Sequence, residues 1–474
     1  MNKAKIRQYV DATWDNEIVP TLVKYIEIPN KSPAFDGDWE SNGYMQAAAE
    51  LLLESIPRIP VKNGESKIFK LPERTPVILL DIPATHGCTG NVLCYGHYDK
   101  QPEFTGWEEG LGPWKPVLRD NRLYGRGGAD DGYAIFATLA AISALDEQDI
   151  GHPRCCVLIE GCEESGSFDL PFYIDALRDV IGKPDLLICL DAECGNYDQL
   201  WLTTSLRGLV SGTLHVDVLT EGIHSGAAGG IVPSSFRVMR AQLNRIEDPQ
   251  TGQLLDALHG AIPDYVATEA ASAAETLGST VIDRYPWHDQ TRSDSDDIAQ
   301  LIVRNTWEPS LATVGLGGAP DPANAGNTLR PGTSAKLVFR LPPNVDATRA
   351  SEAVVDALES HPPCDASVRF EVDAAETGWF AKPLSHSLTA ALDRASNEFF
   401  GKPLRQIGCG GTIPFLGMLE QKFPDCQFVV TGVLGPHSNA HGPNEFLDIP
   451  TGKSVTACMA SVLADAGEFI AATD

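Results

Sequence analysis

Imidazole and carboxylate groups recur in this sequence beside glycine or at the end of apolar runs: GHYD with His97 and Asp99, GRGGADDG with Asp130 and Asp131, EGCEESGS with Glu163 and Glu164, LDAE with Asp191, and NAHGPNE with His441. Mixed nitrogen and oxygen donors of this kind suit zinc or a similar divalent ion. Two ions need more donors than one, and a carboxylate shared between them. Two His, three carboxylates and a spare Glu and Asp meet that requirement. Each element alone is ordinary, since an H-x-D at a strand end is commonly a hydrogen-bonded histidine and a Glu pair is commonly solvated helix surface. Their weight comes from recurring at successive strand ends, in an order one sheet can hold.

The elements that would position them alternate. Amphipathic stretches at 4–28, 44–53, 133–145 and 170–180 read as helices, and VILLDI, NVLCYGHYD, CCVLIEGCEE and DLLICLDAE read as short apolar strands. This argues an α/β fold with a mixed or mostly parallel sheet, whose strand carboxyl ends are where a site is built. After Arg207 the texture changes: a strand at 209–219, a glycine-rich loop, a helix after Pro233, a polar stretch at about 248–306, strands at 311–316 and 335–341, a helix at 346–358 and a strand at 367–372. That β-α-β-β-α-β order is the ferredoxin-like motif. The expected organisation is a catalytic domain in two parts, 1–206 and 385–474, with an α+β domain inserted at 207–384.

The composition restricts the partners. A net charge of −28 over 474 residues is opposite in sign to what phosphate backbones or anionic lipid would select, so no nucleic acid and no membrane surface is expected. No apolar run approaches the roughly 20 residues that span a bilayer. The N-terminus reads as an amphipathic helix rather than a signal peptide, and the 11 scattered Cys read as reduced thiols, so the expected location is cytoplasmic. GRGGADDG and GCGGT lack the lysine of a phosphate loop, which leaves nucleotide binding without support.

YGHYDKQP, RGGADDG, EGCEESGS, the Asp of LICLDAE, GIHSGAAGG, FRLPPN, CGGTIP and NAHGPNE, in this order over nearly the whole chain, resemble the dinuclear zinc metallopeptidases that include carnosinase, cytosolic nonspecific dipeptidase, aminoacylase and carboxypeptidase G. The carnosinase-like dipeptidase branch fits best. The resemblance implies a mixed-sheet catalytic domain with an inserted lid that also dimerises, and two divalent ions per subunit, zinc first, with manganese or cobalt as alternatives. It places His97 and Glu164 on different metals, Asp130 as the bridge, and Asp191 and His441 completing the shells, with a cis peptide after Asp130. It makes Glu163 the general base toward water shared by the two ions, Asp99 the residue that orients His97, and His224 of the IHSG loop a donor to the oxyanion in the site of a second subunit. Arg340 would bind the substrate's terminal carboxylate, with Asn327 and Thr412 as neighbouring contacts.

The implied activity is hydrolysis of the amide bond of a dipeptide or related N-acyl amino acid by a homodimer. The alternatives are a same-scaffold amidohydrolase acting on a non-peptide N-acyl or N-carbamoyl amino acid, and a binding protein without catalysis; retention of Glu163 and all five ligand types argues against the second. His437 is a possible replacement for His441. Lys100 and the Gly132-Tyr133 pair depart from the family pattern beside the metals and put dipeptide preference in doubt.

Overall fold

The computed structural model describes residues 1–411 and 414–470. Its centre is a six-stranded mixed sheet in the order Glu65–Phe69, Val77–Ile82, Arg154–Glu160, Asn91–His97, Leu186–Cys189, Gln427–Val430. The last four strands run parallel, and the first two add antiparallel at one edge. The parallel strands read as continuous apolar runs because both faces are covered. Alternate side chains divide accordingly. Ile78, Leu80 and Ile82 enter one core with the N-terminal helices and helices Ala134–Glu147 and Ile449–Ala464, while Val77 and Leu79 enter another with Tyr173, Phe415 and Leu419. Every residue from Ala134 to Leu145 is buried, which makes that helix apolar on all sides rather than along one stripe. Gly96 lets it come this close: a Cβ there would stand 2.9 Å from Ala134 and 2.7 Å from the Asp131 carboxylate.

The second unit is a four-stranded antiparallel sheet in the order Ser310–Gly317, Gly332–Leu341, Gly208–Asp217, Ser367–Glu376, with helices Ser235–Leu243 and Ala347–Glu359 packed on it. Numbered along the chain this is 4-1-3-2 from the opposite edge, the arrangement of the ferredoxin-like motif expected from the sequence. Its core is its own, built on Leu214, Leu337, Phe339 and Val354. Gly208 and Gly378 mark where the chain enters and leaves: a Cβ on Gly378 would stand 2.4 Å from the Leu206 carbonyl oxygen, so the two crossing backbones touch.

The stretch 248–306, read from the sequence only as polar, holds helices Asp264–Leu277 and Ile298–Trp307. They do not join the core of the four-stranded sheet. Ala270, Ala273 and Ile302 pack with Cys194, Trp201 and Ile407, residues of the larger body. The expected helix at 170–180 is two short ones, Leu170–Ala176 and Arg178–Ile181, and strand Glu65–Phe69 has no counterpart in the sequence reading because its side chains are too polar and exposed to form an apolar run. Among the described residues no helix is long and apolar enough to cross a membrane.

Candidate active site

The sheet ends its parallel strands at one edge, and the polar residues gather there. His97 closes strand Asn91–His97, Glu163 and Glu164 form a turn just past Arg154–Glu160, and Asp191 follows Leu186–Cys189. Asp130 arrives from the turn before helix Ala134–Glu147, and His441 from the loop before the last helix. The Asp130–Asp131 peptide is cis.

Two ligand triads result, and they share one residue. His97, Asp130 and Asp191 offer donor atoms within 4.8 Å of one another, as do Asp130, Glu164 and His441. One carboxylate oxygen of Asp130 lies 3.1 Å from His97 Nε2 and the other 3.1 Å from His441 Nε2. Glu164 lies 3.2 Å from His441 and Asp191 3.6 Å from His97. Glu163 stands 3.9 Å from His97 Nε2, close to the first triad without belonging to it.

The electrostatics favour a cation. Five carboxylates (Asp99, Asp130, Glu163, Glu164, Asp191) face two imidazoles, with His97 buried at the floor and His441 exposed at the rim. Burial pushes Asp191 up to about 7 and raises Glu163 and Glu164, with Asp191 adding to the first and Asp130 to the second. Burial opposes charge on His97, yet Asp191, Asp130 and Asp99 together hold it well above the usual imidazole range. Glu164 Oε1 is buried with no hydrogen-bond partner among the described residues. Surplus buried negative charge and an orphaned carboxylate oxygen, next to imidazoles, are what a pair of divalent ions would satisfy.

The supports are as specific as the donors. Asp99 lies under His97, its Oδ1 3.4 Å from Nδ1, and its carboxylate also accepts the backbone N–H groups of Glu163 and Glu164 at 3.1 and 3.0 Å. One side chain therefore fixes a ligand and the turn carrying the proposed base. Gln101 donates to Glu164 at 2.6 Å. Arg126 and Glu445 form a fully buried ion pair; Glu445 also accepts from Gly127 N, and Arg126 donates to Gly442 O. This pair ties the turn carrying Asp130 to the loop carrying His441. Sequence reading passed over it, although Arg126 and Glu445 stand inside the motifs RGGADDG and NAHGPNE.

The remaining expected residues are distributed unevenly. Arg340 lines the same cleft of about 550 Å³ as Asp130, Glu163, Glu164, Asp191 and His441. His224 and Asn327 do not line it. They stand exposed on the smaller unit, where Ile223–His224 pairs with Thr328–Leu329 and Ser225 N donates to Asn327 O. Thr412 lies outside the described residues. His437 lines a neighbouring hollow and belongs to neither triad.

Lys100 and Tyr133 turn away from the cleft. The Lys100 ammonium donates to the carbonyls of Tyr25 and Ile28 at 2.7 and 2.8 Å, closing the end of helix Val19–Ile26 across the Tyr25 ring, and Tyr133 OH donates to Leu190 O at 2.5 Å. Both side chains are thus taken up in the core, and neither lines the cleft.

Comparison with known proteins agrees with this geometry. Residues 93–465 match the model of peptidase family M20/M25/M40. The chain is 25% identical over 373 residues to the cysteinylglycine-S-conjugate dipeptidase of Corynebacterium striatum (76% of this chain, 78% of the relative) and 25% identical over 441 residues to the human Beta-Ala-His dipeptidase (88% and 83%). Human carnosine dipeptidase 1 superposes with a TM-score of 0.76 at 21% identity, over 99% of each chain. With the family's motifs matched across most of the chain and its fold reproduced from end to end, this protein belongs to peptidase family M20/M25/M40.

Proposed function

We propose that the protein is a dinuclear metal-dependent dipeptidase, cleaving the amide bond of dipeptides or related N-acyl amino acids. The observation that carries this is the pair of triads sharing Asp130. One ion would be held by His97, Asp130 and Asp191, the other by Asp130, Glu164 and His441, and the imidazole-carboxylate mixture favours zinc, with manganese or cobalt as substitutes. The ions supply water activation near neutral pH and charge stabilisation for the reacting carbonyl.

The chain's own residues do the rest. Glu163 takes the proton of the attacking water and returns it to the leaving nitrogen, since it stands beside the donors without being committed to one. Asp99 holds His97 and the Glu163 turn in register. The guanidinium of Arg340, in the same cleft, anchors the substrate's terminal carboxylate. His224 donates to the developing oxyanion. Because it is exposed on the smaller unit and absent from its own cleft, it serves the site of a second copy in a homodimer, with Asn327 beside it. In this reading residues 1–206 and 385–474 form the catalytic domain and 207–384 the lid.

The test is elemental analysis followed by a panel of dipeptides and of N-acyl and N-carbamoyl amino acids, with products identified by mass spectrometry. Two metal equivalents and dipeptide turnover, lost on chelation and regained with Zn²⁺, Mn²⁺ or Co²⁺, are expected. Turnover of N-carbamoyl or other non-peptide amides alone would replace the dipeptidase reading. Loaded metal with no amide cleaved would leave a binding protein.

A further inference from the structure

A cavity of about 360 Å³ opens beside the metal-ligand cleft, within the range that takes small organic groups, roughly 300 Å³ and upward. Glu193, Thr203 and Cys409 line both spaces, so the two adjoin. The cavity is made by the segment 264–307, packed on the larger body. Leu277, Val281, Leu301, Ile302 and Ile407 give it apolar walls, and Tyr285 and Trp287, edge to face at 6.1 Å, stand at its outer side. Polar groups lie toward the cleft. Thr203 is 3% exposed, and its hydroxyl has no hydrogen-bond partner among the described residues. Arg207 donates to Gly410 O at 3.1 Å and to Ser310 Oγ at 3.1 Å. Burial first, and then the neighbouring Arg340, lower Arg207 to about 10, which puts the two guanidinium groups in each other's field.

We propose that this cavity receives the side chain of the substrate's C-terminal residue, and that the enzyme favours a bulky, mainly apolar side chain there, aromatic or long aliphatic, over glycine. The inference rests on the dipeptidase reading above, in which Arg340 anchors the terminal carboxylate. Ser310, which lines the cavity and accepts from Arg207, is the strand partner of Arg340, so the residue bearing that carboxylate is the one whose side chain meets the cavity. The apolar walls then reward removal of hydrocarbon from water. Arg207, Arg284 and Arg304 are opposed by Glu193 and Asp294, so the lining charges nearly cancel and do not by themselves select an acid.

The experiment measures kcat/KM for Ala-Gly, Ala-Leu and Ala-Phe on the wild-type metalloenzyme and on Leu301→Trp and Val281→Trp, which fill the cavity from two independent walls. The wild type is expected to prefer Ala-Phe to Ala-Gly by at least about tenfold, the scale of discrimination that hydrophobic pockets reach. Each variant is expected to lower that ratio about tenfold or more. The ratio is taken on one preparation, so any inactive fraction cancels. Equal rates on Ala-Gly and Ala-Phe in the wild type, or a ratio unmoved in both variants, would overturn the cavity assignment while leaving the dipeptidase reading standing. Failure to cleave any of the three would overturn both.

Discussion

The floor of the cleft and the exposed arm of the smaller unit carry residues of the same chemical kind in opposite physical states. His97 is fully buried and touches Asp99, Asp130 and Asp191. His224 is exposed, and among the described residues its ring accepts the N–H of Gly226, two residues along. The floor is finished within one chain: each donor is held by another residue, often by one far away in sequence. The arm is strand backbone presenting a side chain outward. Preorganisation is therefore concentrated where charge must be held, and the arm is the region that the proposed homodimer would complete.

Substitutions should separate the two regions by what they change. The largest effect belongs to Asp130→Ala, which removes the oxygen donors common to both triads. Metal content measured by elemental analysis should fall well below two per subunit and activity should vanish; retention of two metals would contradict the shared-ligand assignment. Glu163→Gln should keep both metals and substrate affinity while losing on the order of 10²-fold or more in kcat, the usual scale for acid–base catalysis. Near-normal turnover would place the base elsewhere.

The arm is tested by mixing. His224→Ala and Glu163→Gln homodimers should each be nearly inactive with metal content unchanged. After subunit exchange about half the dimers are mixed, each with one site carrying both defects and one carrying neither, so roughly a quarter of wild-type activity should return. Exchange seen by mass spectrometry without recovered activity would confine His224 to its own subunit. The smallest effect is expected from Arg340→Ala: a raised KM for substrates with a free C-terminal carboxylate, with little change for amidated ones. Equal losses on both would remove its assigned role.

The gathering of His97, Asp130, Glu164, Asp191 and His441 was legible in the sequence because each sits where a strand ends or a glycine turn begins, and those boundaries are local features. The ferredoxin-like order was legible for the same reason. What could not be read depends on tertiary packing. Helix Asp264–Leu277 buries Val266, Ala270 and Ala273, and small alanines leave too faint a stripe to distinguish it from a polar loop. The side cavity built by that segment was hidden with it. Lys100 was visible as an odd residue beside the metals, but its direction is set by carbonyls of a helix some 70 positions earlier in the chain. The pairing of Arg126 with Glu445 spans 319 residues, and neither partner announces the other.

That last pair has a consequence for how the protein is made. The donors run from His97 to His441, and the central sheet gains its final parallel strand, Gln427–Val430, only near the end of the chain. At synthesis rates of about 5–20 residues per second, roughly 20 to 90 s pass before His441 and Glu445 exist to meet Asp130 and Arg126. From the moment Asp191 is made until His441 follows, the nascent chain carries one complete triad and a fragment of the second. The catalytic centre therefore assembles as a late event of folding, and a growing chain is kept from hydrolysing peptides until nearly all of it has been made.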